Sequence, residues 1–321
     1  MTSATVYRNC FALGKQYLHR LTVTEQCASG RRLSGTSRQS SNRATTESCR
    51  HSLGGLNSIR SISSGPIAMA KPLDAQPTAI SAEHTGIFTP TLNKMGWQQN
   101  SLDEYLSDFV DYAGSPSRTR PVADVGAAFG FVSQKLLERG ATVLMNDLEP
   151  GHLEDIVRRI SPEERERLTC IPGSVFDLKL EEGSLDGIVA ARMTQFFPVA
   201  DIRRFFDLAY KWLAQGGRLC VTNTSPWRGT TEAFQREYER KCQQGEEWPG
   251  ITTTDSLDQN RQKRITLPQT GYRFDPAVLR REAERVGFRV VRTSFYPTPF
   301  LPDEFRSADG IRDAVGLIAE K

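Results

Sequence analysis

The residues of this sequence best placed to do chemistry lie in two short stretches, "PVADVGAAFG" at 121–130 and "ATVLMND" at 141–147. Asp124 is followed by Gly126, Ala128 and Gly130, and Asp147 stands 21 residues beyond Gly126. Small residues at the turn after an apolar strand let a ligand lie close to the main chain. Gly126 lets the strand turn sharply, Ala128 keeps the approach close, and Gly130 permits the next helix to pack tightly on the strand. A dinucleotide site would need glycine at the sixth position from Gly126, where Phe131 stands, so a pyrophosphate is not expected. Asp124, two residues before the turn, suits an amino group. Asp147, ending the next strand, can accept hydrogen bonds from both hydroxyls of a ribose.

These residues need a scaffold that brings two strand ends together. Apolar Leu102, Tyr105, Leu106, Phe109 and Val110 recur at helical spacing, with Ser101 as the expected N-cap and Gly114 as the stop. Beyond them "PVADVG" predicts a buried strand, 129–139 a helix, "ATVLMND" a strand and "PGHLEDIVRRI" a helix. "LTCIPGS" and "LDGIVAAR" are the third and fourth strands. A long helix follows in "PVADIRRFFDLAYKWLAQGG", then a fifth strand in "RLCVTNTSP". "DPAVLRREAERVG" predicts a capped helix leading to the strands "FRVVRTSFYP" and "AVGLIAEK". Strands alternating with helices of 10–15 residues argue for a parallel sheet covered on both faces. The last two strands have no helical period between them, so they should pair antiparallel. The expected fold is therefore α/β, a Rossmann-like doubly wound seven-stranded sheet, mostly parallel, with an antiparallel C-terminal hairpin. In such a sheet the ligand sits beyond the carboxyl ends of the strands, against "DVGAAFG".

At these residues the chain resembles the class I S-adenosylmethionine-dependent methyltransferases. Their first motif is an acidic residue followed by Gly-x-Gly-x-Gly, matched here by Asp124, Gly126, Ala128 and Gly130, with Ala in place of the central Gly. The resemblance covers about residues 100–321 and implies S-adenosyl-L-methionine as cofactor. It implies the Gly126 loop against the methionine end and Asp147 on the ribose. The third motif of the family usually reads Gly-Asp-Ala, its Asp on the adenine. Here Gly173 is followed by Ser174, Val175 and Phe176, so that contact is missing or falls to Asp177. Ser174 and Val175 remain the expected adenine neighbours.

Methyl transfer from a sulfonium is an in-line displacement, helped mostly by positioning and exclusion of water. After the fourth strand the chain reads "ARMTQFF" rather than Asn/Asp-Pro-Pro-Tyr/Phe, which argues against methylation of a planar nitrogen. The strand ends "AAR" and "TNTSP" lack the carboxylates of the metal-dependent catechol type. No His falls at a predicted strand end, which favours an acceptor that is already nucleophilic, a carboxylate or a sulfur. Arg192 is placed to hold an acidic substrate or the cofactor carboxylate; the alternative is that it caps a helix or pairs with a surface acid. Gln195 and Phe196 share its loop. The expected activity is methylation of a small organic molecule, a carboxylic acid, at sulfur or oxygen. Alternatives are an organellar protein or RNA methyltransferase and a non-catalytic methyltransferase-like scaffold subunit.

Residues 227–273 exceed an ordinary connection and predict a lid insertion. Trp227, Phe234, Tyr238, Trp248 and Tyr272 could wall an acceptor pocket, with Arg273 as anion partner. For Phe234 and Tyr238, at i and i+4, packing of a helix is the preferred reading. "RQKR" at 261–264 reads as a solvated loop. Met95 and Trp97, within the 71–100 N-terminal segment, sit where a lid would cover the cofactor; core packing is the alternative.

The chain has 321 residues and a formal net charge of +3. Residues 1–72 hold ten Lys or Arg and two acids, Glu25 and Glu47, so beyond them acids outnumber bases by five. That body is not expected to bind nucleic acid. Residues 1–70, rich in Ser, Thr and Arg, read as a disordered leader and an organelle transit peptide. Mitochondrial import is the first expectation and a plastid the second; translation from Met69 would leave the protein in the cytoplasm. No stretch reaches the about 18 apolar residues of a membrane helix, so no membrane partner is expected. Six cysteines without CxxC spacing and four scattered histidines give no metal site. The expected partner is the small-molecule acceptor, with the oligomeric state open.

Overall fold

Apolar residues that alternate along the strands of this chain divide one sheet into two buried faces. The structure, a computed structural model, describes residues 86–257 and 270–321. The leader 1–70, residues 71–85 and the "RQKR" segment lie outside the described residues. The seven-stranded sheet has the order β10-β11-β7-β6-β3-β4-β5. Its strands are β3 (Val122–Val125), β4 (Val143–Asp147), β5 (Leu168–Pro172), β6 (Leu185–Ala191), β7 (Leu213–Thr224), β10 (Arg289–Tyr296) and β11 (Ala314–Glu320). The pairs β3/β4, β3/β6, β4/β5 and β6/β7 are parallel; β11 is antiparallel to both β7 and β10. This is the doubly wound seven-stranded α/β fold expected of the strand pattern, closing hairpin included.

On one face Ala123, Val125, Ile188, Ala190, Leu219, Val221, Val315 and Leu317 pack against α5 (Val199–Trp212) and α7 (Pro276–Val286). On the other, Val122, Val143, Val189, Cys220 and Ile318 meet α1 (Glu104–Ala113), α2 (Phe131–Glu138) and α3 (Pro150–Arg159). Successive residues of each strand thus feed opposite cores, as a period of two demands. β11 comes close to α1, where a Cβ on Gly316 would lie 2.4 Å from the Tyr105 ring. A short α4 (Pro162–Glu166) precedes β5 and carries a Ser161/Glu164 capping box.

Three local expectations are corrected. The N-cap of α1 is Asp103, not Ser101, because its carboxylate accepts from the amides of both Tyr105 and Leu106. Helix α2 begins at Phe131 rather than 129, after a left-handed Gly130. Helix α5 ends at Trp212, and Leu213 already belongs to β7, so "QGG" lies inside the strand and does not stop the helix.

Two small hairpins and a helix stand outside the main sheet. The first hairpin pairs β1 (Phe88–Pro90) with β2 (Trp97–Gln99). The second, β8 (Ile251–Thr253) with β9 (Thr270–Tyr272), belongs to the insertion together with α6 (Glu232–Gln243). Phe234 and Tyr238 are the buried residues of α6, as their i, i+4 spacing predicted.

Candidate functional site

β3 brings Asp124 and the turn 126–130 to the carboxyl edge of the sheet. Gly126 and Gly130 hold φ of +65° and +75°. Ala128, between them, holds +49°, a conformation that strains a residue bearing a Cβ. Its amide is fixed by a 2.7 Å hydrogen bond to Asp147 Oδ2, and the Ala127 amide by one of 3.1 Å to the Asn146 carbonyl. A Cβ on Gly130 would come within 2.6 Å of Ile156 and 2.9 Å of Met145. Gly130 is therefore a packing residue between β4 and α3, and it does not reach the cavity. At Gly126 a Cβ would lie 2.3 Å from Met193 Cγ, so the Met193 side chain closes down on the turn. Asp124 is buried, accepts 2.7 Å from Ser133 Oγ, and has its pKa pushed up to about 7. Burial is the main cause; the Ser133 bond opposes it and nearby Asp147 adds to it.

The carboxylate of Asp147 is a junction. Oδ2 receives the Ala128 amide; Oδ1 receives the Glu149 amide at 2.9 Å and faces His152 Nδ1 at 2.9 Å. A carboxylate has about four lone-pair positions, so roughly one is left toward the cavity. The expectation that it meets both hydroxyls of a ribose is narrowed accordingly. His152 is fully buried, and its Nε2 accepts the Leu92 amide at 3.0 Å. An accepting Nε2 requires the proton on Nδ1, which donates to Asp147. The ring has no lone pair left for abstracting a proton.

Arg192 follows β6 with φ +56° and donates its amide to the Thr222 carbonyl. Its guanidinium lies 3.6 Å from Asp103, the buried cap of α1, which also accepts 2.8 Å from Tyr296 Oη. The partner of Arg192 is thus a buried acid rather than a surface one. In the next turn Gln195 Oε1 accepts the Thr224 amide, and the Phe196 ring meets the hairpin at Gly96. Gly271 of β9 presses on the Gln195 carbonyl, seating the second hairpin on this turn.

These parts enclose a cavity of about 480 Å³, within the span of small-molecule sites. Asp124, Gly126, Ala128, Asp147, Ser174, Val175 and Arg192 line it, as do Trp97, Gln195, Phe196, Tyr272 and Arg273. Met95 lines it too, while Trp97 is also 41% exposed, which excludes its core-packing alternative. Gly130 and Trp227 do not line it. Trp227 packs edge-on against Tyr238 and Phe295 with the Arg312 guanidinium over its ring, so it joins the insertion to β10. Trp248 is buried beside Tyr272 between Arg203 and Arg281. Sequence reasoning missed His152 and Arg228 on the cavity wall. A His at the third position of a helix following an acidic strand end was the available signal for the first; nothing marked Arg228.

Among the described residues, three other than glycine hold a left-handed backbone: Lys94, Ala128 and Arg192. Two line the cavity, and Lys94 lies between Asn93 and Met95, which do. Such strain costs roughly 1–3 kcal/mol per residue and collects at functional sites.

Comparison with known proteins agrees with this geometry. Residues 122–217, from β3 into β7, match the model of a methyltransferase domain. Residues 122–217 carry a methyltransferase domain. S-adenosylmethionine is the cofactor of this methyltransferase, an enzyme of methyl transfer. Similar solved structures include an S-adenosylmethionine-dependent methyltransferase from Mesorhizobium loti, 16% identical with a TM-score of 0.47, over 68% of this chain and 98% of that one. The 1,6-didemethyltoxoflavin-N1-methyltransferase of Burkholderia thailandensis is also 16% identical with a TM-score of 0.47, covering 68% and 78%. The glycopeptide N-methyltransferase MtfA, solved with S-adenosylmethionine, is 18% identical with a TM-score of 0.44, covering 67% and 92%. A comparison with curated proteins finds no match. Among the described residues, no helix is long and apolar enough to cross a membrane, and no cluster of His, Cys, Asp and Glu could hold a metal ion.

Proposed function

We propose that this methyltransferase acts on a small carboxylic acid, at sulfur or oxygen. The observation that carries the reading is a pair of guanidinium side chains, Arg228 and Arg273, on the cavity wall, each less than a tenth exposed. A buried guanidinium is the side chain best suited to grip a carboxylate in two parallel bonds. Both arginines follow the end of β7 in space, since Arg228 comes after that strand and Phe274 donates its amide to Thr224. The acids Asp124 and Asp147 stand over β3 and β4. Guanidinium groups thus lie on one part of the wall and carboxyl groups on another.

S-adenosylmethionine, when bound, supplies an electrophilic methyl carbon on a sulfonium. The residues present suit it: Asp147 offers its remaining lone pair to the ribose, and Asp124 faces the amino group. Ser174 and Val175 would flank the adenine, and Arg192, steadied by Asp103, would hold the carboxylate. Gly126 and Ala128 keep the turn low beneath the methionine end. The neighbouring His152 has both nitrogens engaged and serves as no base, which suits an acceptor that is nucleophilic already. The insertion closes over the acceptor with Tyr272, and the first hairpin covers the cofactor with Met95 and Trp97. The basic leader supports import into an organelle, a mitochondrion first.

The test is incubation of the full chain with methyl-labelled cofactor and a fractionated pool of small acids. Label should appear in an acid-soluble organic product. Label confined to protein or RNA would overturn the acceptor class, and failure to bind S-adenosylhomocysteine in calorimetry would leave only a scaffold.

A further inference from the structure

We propose that His152 is a positioning residue that ties the β1–β2 hairpin to the Asp147 carboxylate, so that seating the hairpin and aligning the carboxylate become one event. The inference rests on placing Asp147 at the cofactor. Its basis is a continuous chain of hydrogen bonds. The Leu92 amide in the hairpin turn donates to His152 Nε2, His152 Nδ1 donates to Asp147 Oδ1, and the other oxygen holds the Ala128 amide of the strained turn.

Each link has one available arrangement. Reversing the imidazole tautomer would set a ring N–H against the Leu92 N–H and leave Nδ1 without a proton for Asp147. The ring cannot swing away, because it is fully buried with the Phe129 ring edge-on at 4.5 Å. Gly151 leaves room for this approach: a Cβ there would lie 2.9 Å from Leu92 Cδ1, the end of an exposed side chain. A second tie, from the Phe131 amide to Gln98 Oε1 at 3.3 Å, joins β2 to the start of α2. A ligand that donates a hydrogen bond to Asp147 thereby stabilises the seated hairpin, and a seated hairpin improves the carboxylate for its ligand by the same factor.

The experiment uses the full chain and separates the two halves of the strut. His152→Asn keeps a donor near Nδ1 and loses the acceptor for Leu92. His152→Gln keeps an acceptor near Nε2 and loses the donor to Asp147. Leu92→Pro deletes the amide from the other side. It does so at the second position of a turn closed by the Lys94-to-Thr91 bond of 3.0 Å, a position that favours proline. We measure the affinity for S-adenosylhomocysteine by calorimetry and amide exchange across residues 88–99.

Each variant should weaken binding about tenfold, the loss of one hydrogen bond to a charged group or to its partner. His152→Asn and Leu92→Pro should also speed exchange in the hairpin and abolish the extra protection that S-adenosylhomocysteine gives it. Leu92→Pro should raise the cofactor KM with little change in kcat. Unchanged affinity in all three, with Asp147→Asn weakening binding, would overturn the strut alone. Unchanged affinity in Asp147→Asn would overturn the cofactor placement beneath it.

Discussion

The wall over β3 and β4 and the wall formed by the insertion reach the same cavity by different means. Over β3 and β4 the site is main chain: a turn of small residues, three amides with fixed acceptors, and two carboxylates held within the body of the sheet. The insertion side is made of side chains, with Arg228, Arg273 and Tyr272 delivered by loops and a three-residue strand pair. Main-chain geometry tolerates few substitutions. Side chains on short hairpins can be exchanged without disturbing the scaffold. The comparison teaches where change is tolerated: the first wall is fixed by the main chain, and the second is built of side chains that can be exchanged.

The largest test of that contrast is Asp147→Ala. Three groups of the protein, the Ala128 and Glu149 amides and His152, lose a charged acceptor at once, so S-adenosylhomocysteine affinity should fall about 100-fold and stability by about 3 kcal/mol, read by calorimetry and denaturant titration. An effect on affinity without one on stability would separate the carboxylate from the turn. Arg273→Gln should come next, raising the acceptor KM about tenfold while S-adenosylhomocysteine binding stays as in the parent.

A smaller effect is expected with pH. Asp124 loses its proton near pH 7 in the folded protein and near its ordinary value of 3.8 when unfolded. The folded state therefore holds one more proton between about pH 4 and 7, and stability falls as pH rises across that window. An ionised Asp124 is the better partner for an ammonium group, so cofactor affinity should rise several-fold from pH 6 to 8. In Asp124→Asn both slopes should flatten. Smallest of all, Trp227→Phe should change kcat and both KM values less than about twofold, because the ring braces the insertion against β10 and stands outside the cavity.

The same contrast explains what could be read from the sequence. The alternation of strands and helices, the closing hairpin and the turn at 126–130 were legible because apolar periods and glycines act through local geometry. Asp147 was legible as a strand-ending acid, but its sharing among Ala128, Glu149 and His152 depends on where α3 returns to β4. The packing role of Gly130 was legible from its place in the motif, and Ile156 and Met145 are the neighbours it serves. Arg228 carried no signal, for it follows a strand by four residues in a stretch with no period. Trp227 carried a misleading one, since an aromatic in an insertion fits a wall and a brace equally well until β10 is in place.

The position of β11 has a consequence for how the protein is made. It is the last strand in chain order, yet it lies between β7 and β10 and pairs with both. During synthesis β7 must leave the ribosome with one flank open, its Leu219 and Val221 lacking Val315 and Leu317 to cover them. Until residues 314–320 emerge, a nascent chain presents a strand edge that another molecule could occupy. Chaperone attendance late in translation, and sensitivity to tags or deletions that disturb the final strand, are built into this order of assembly.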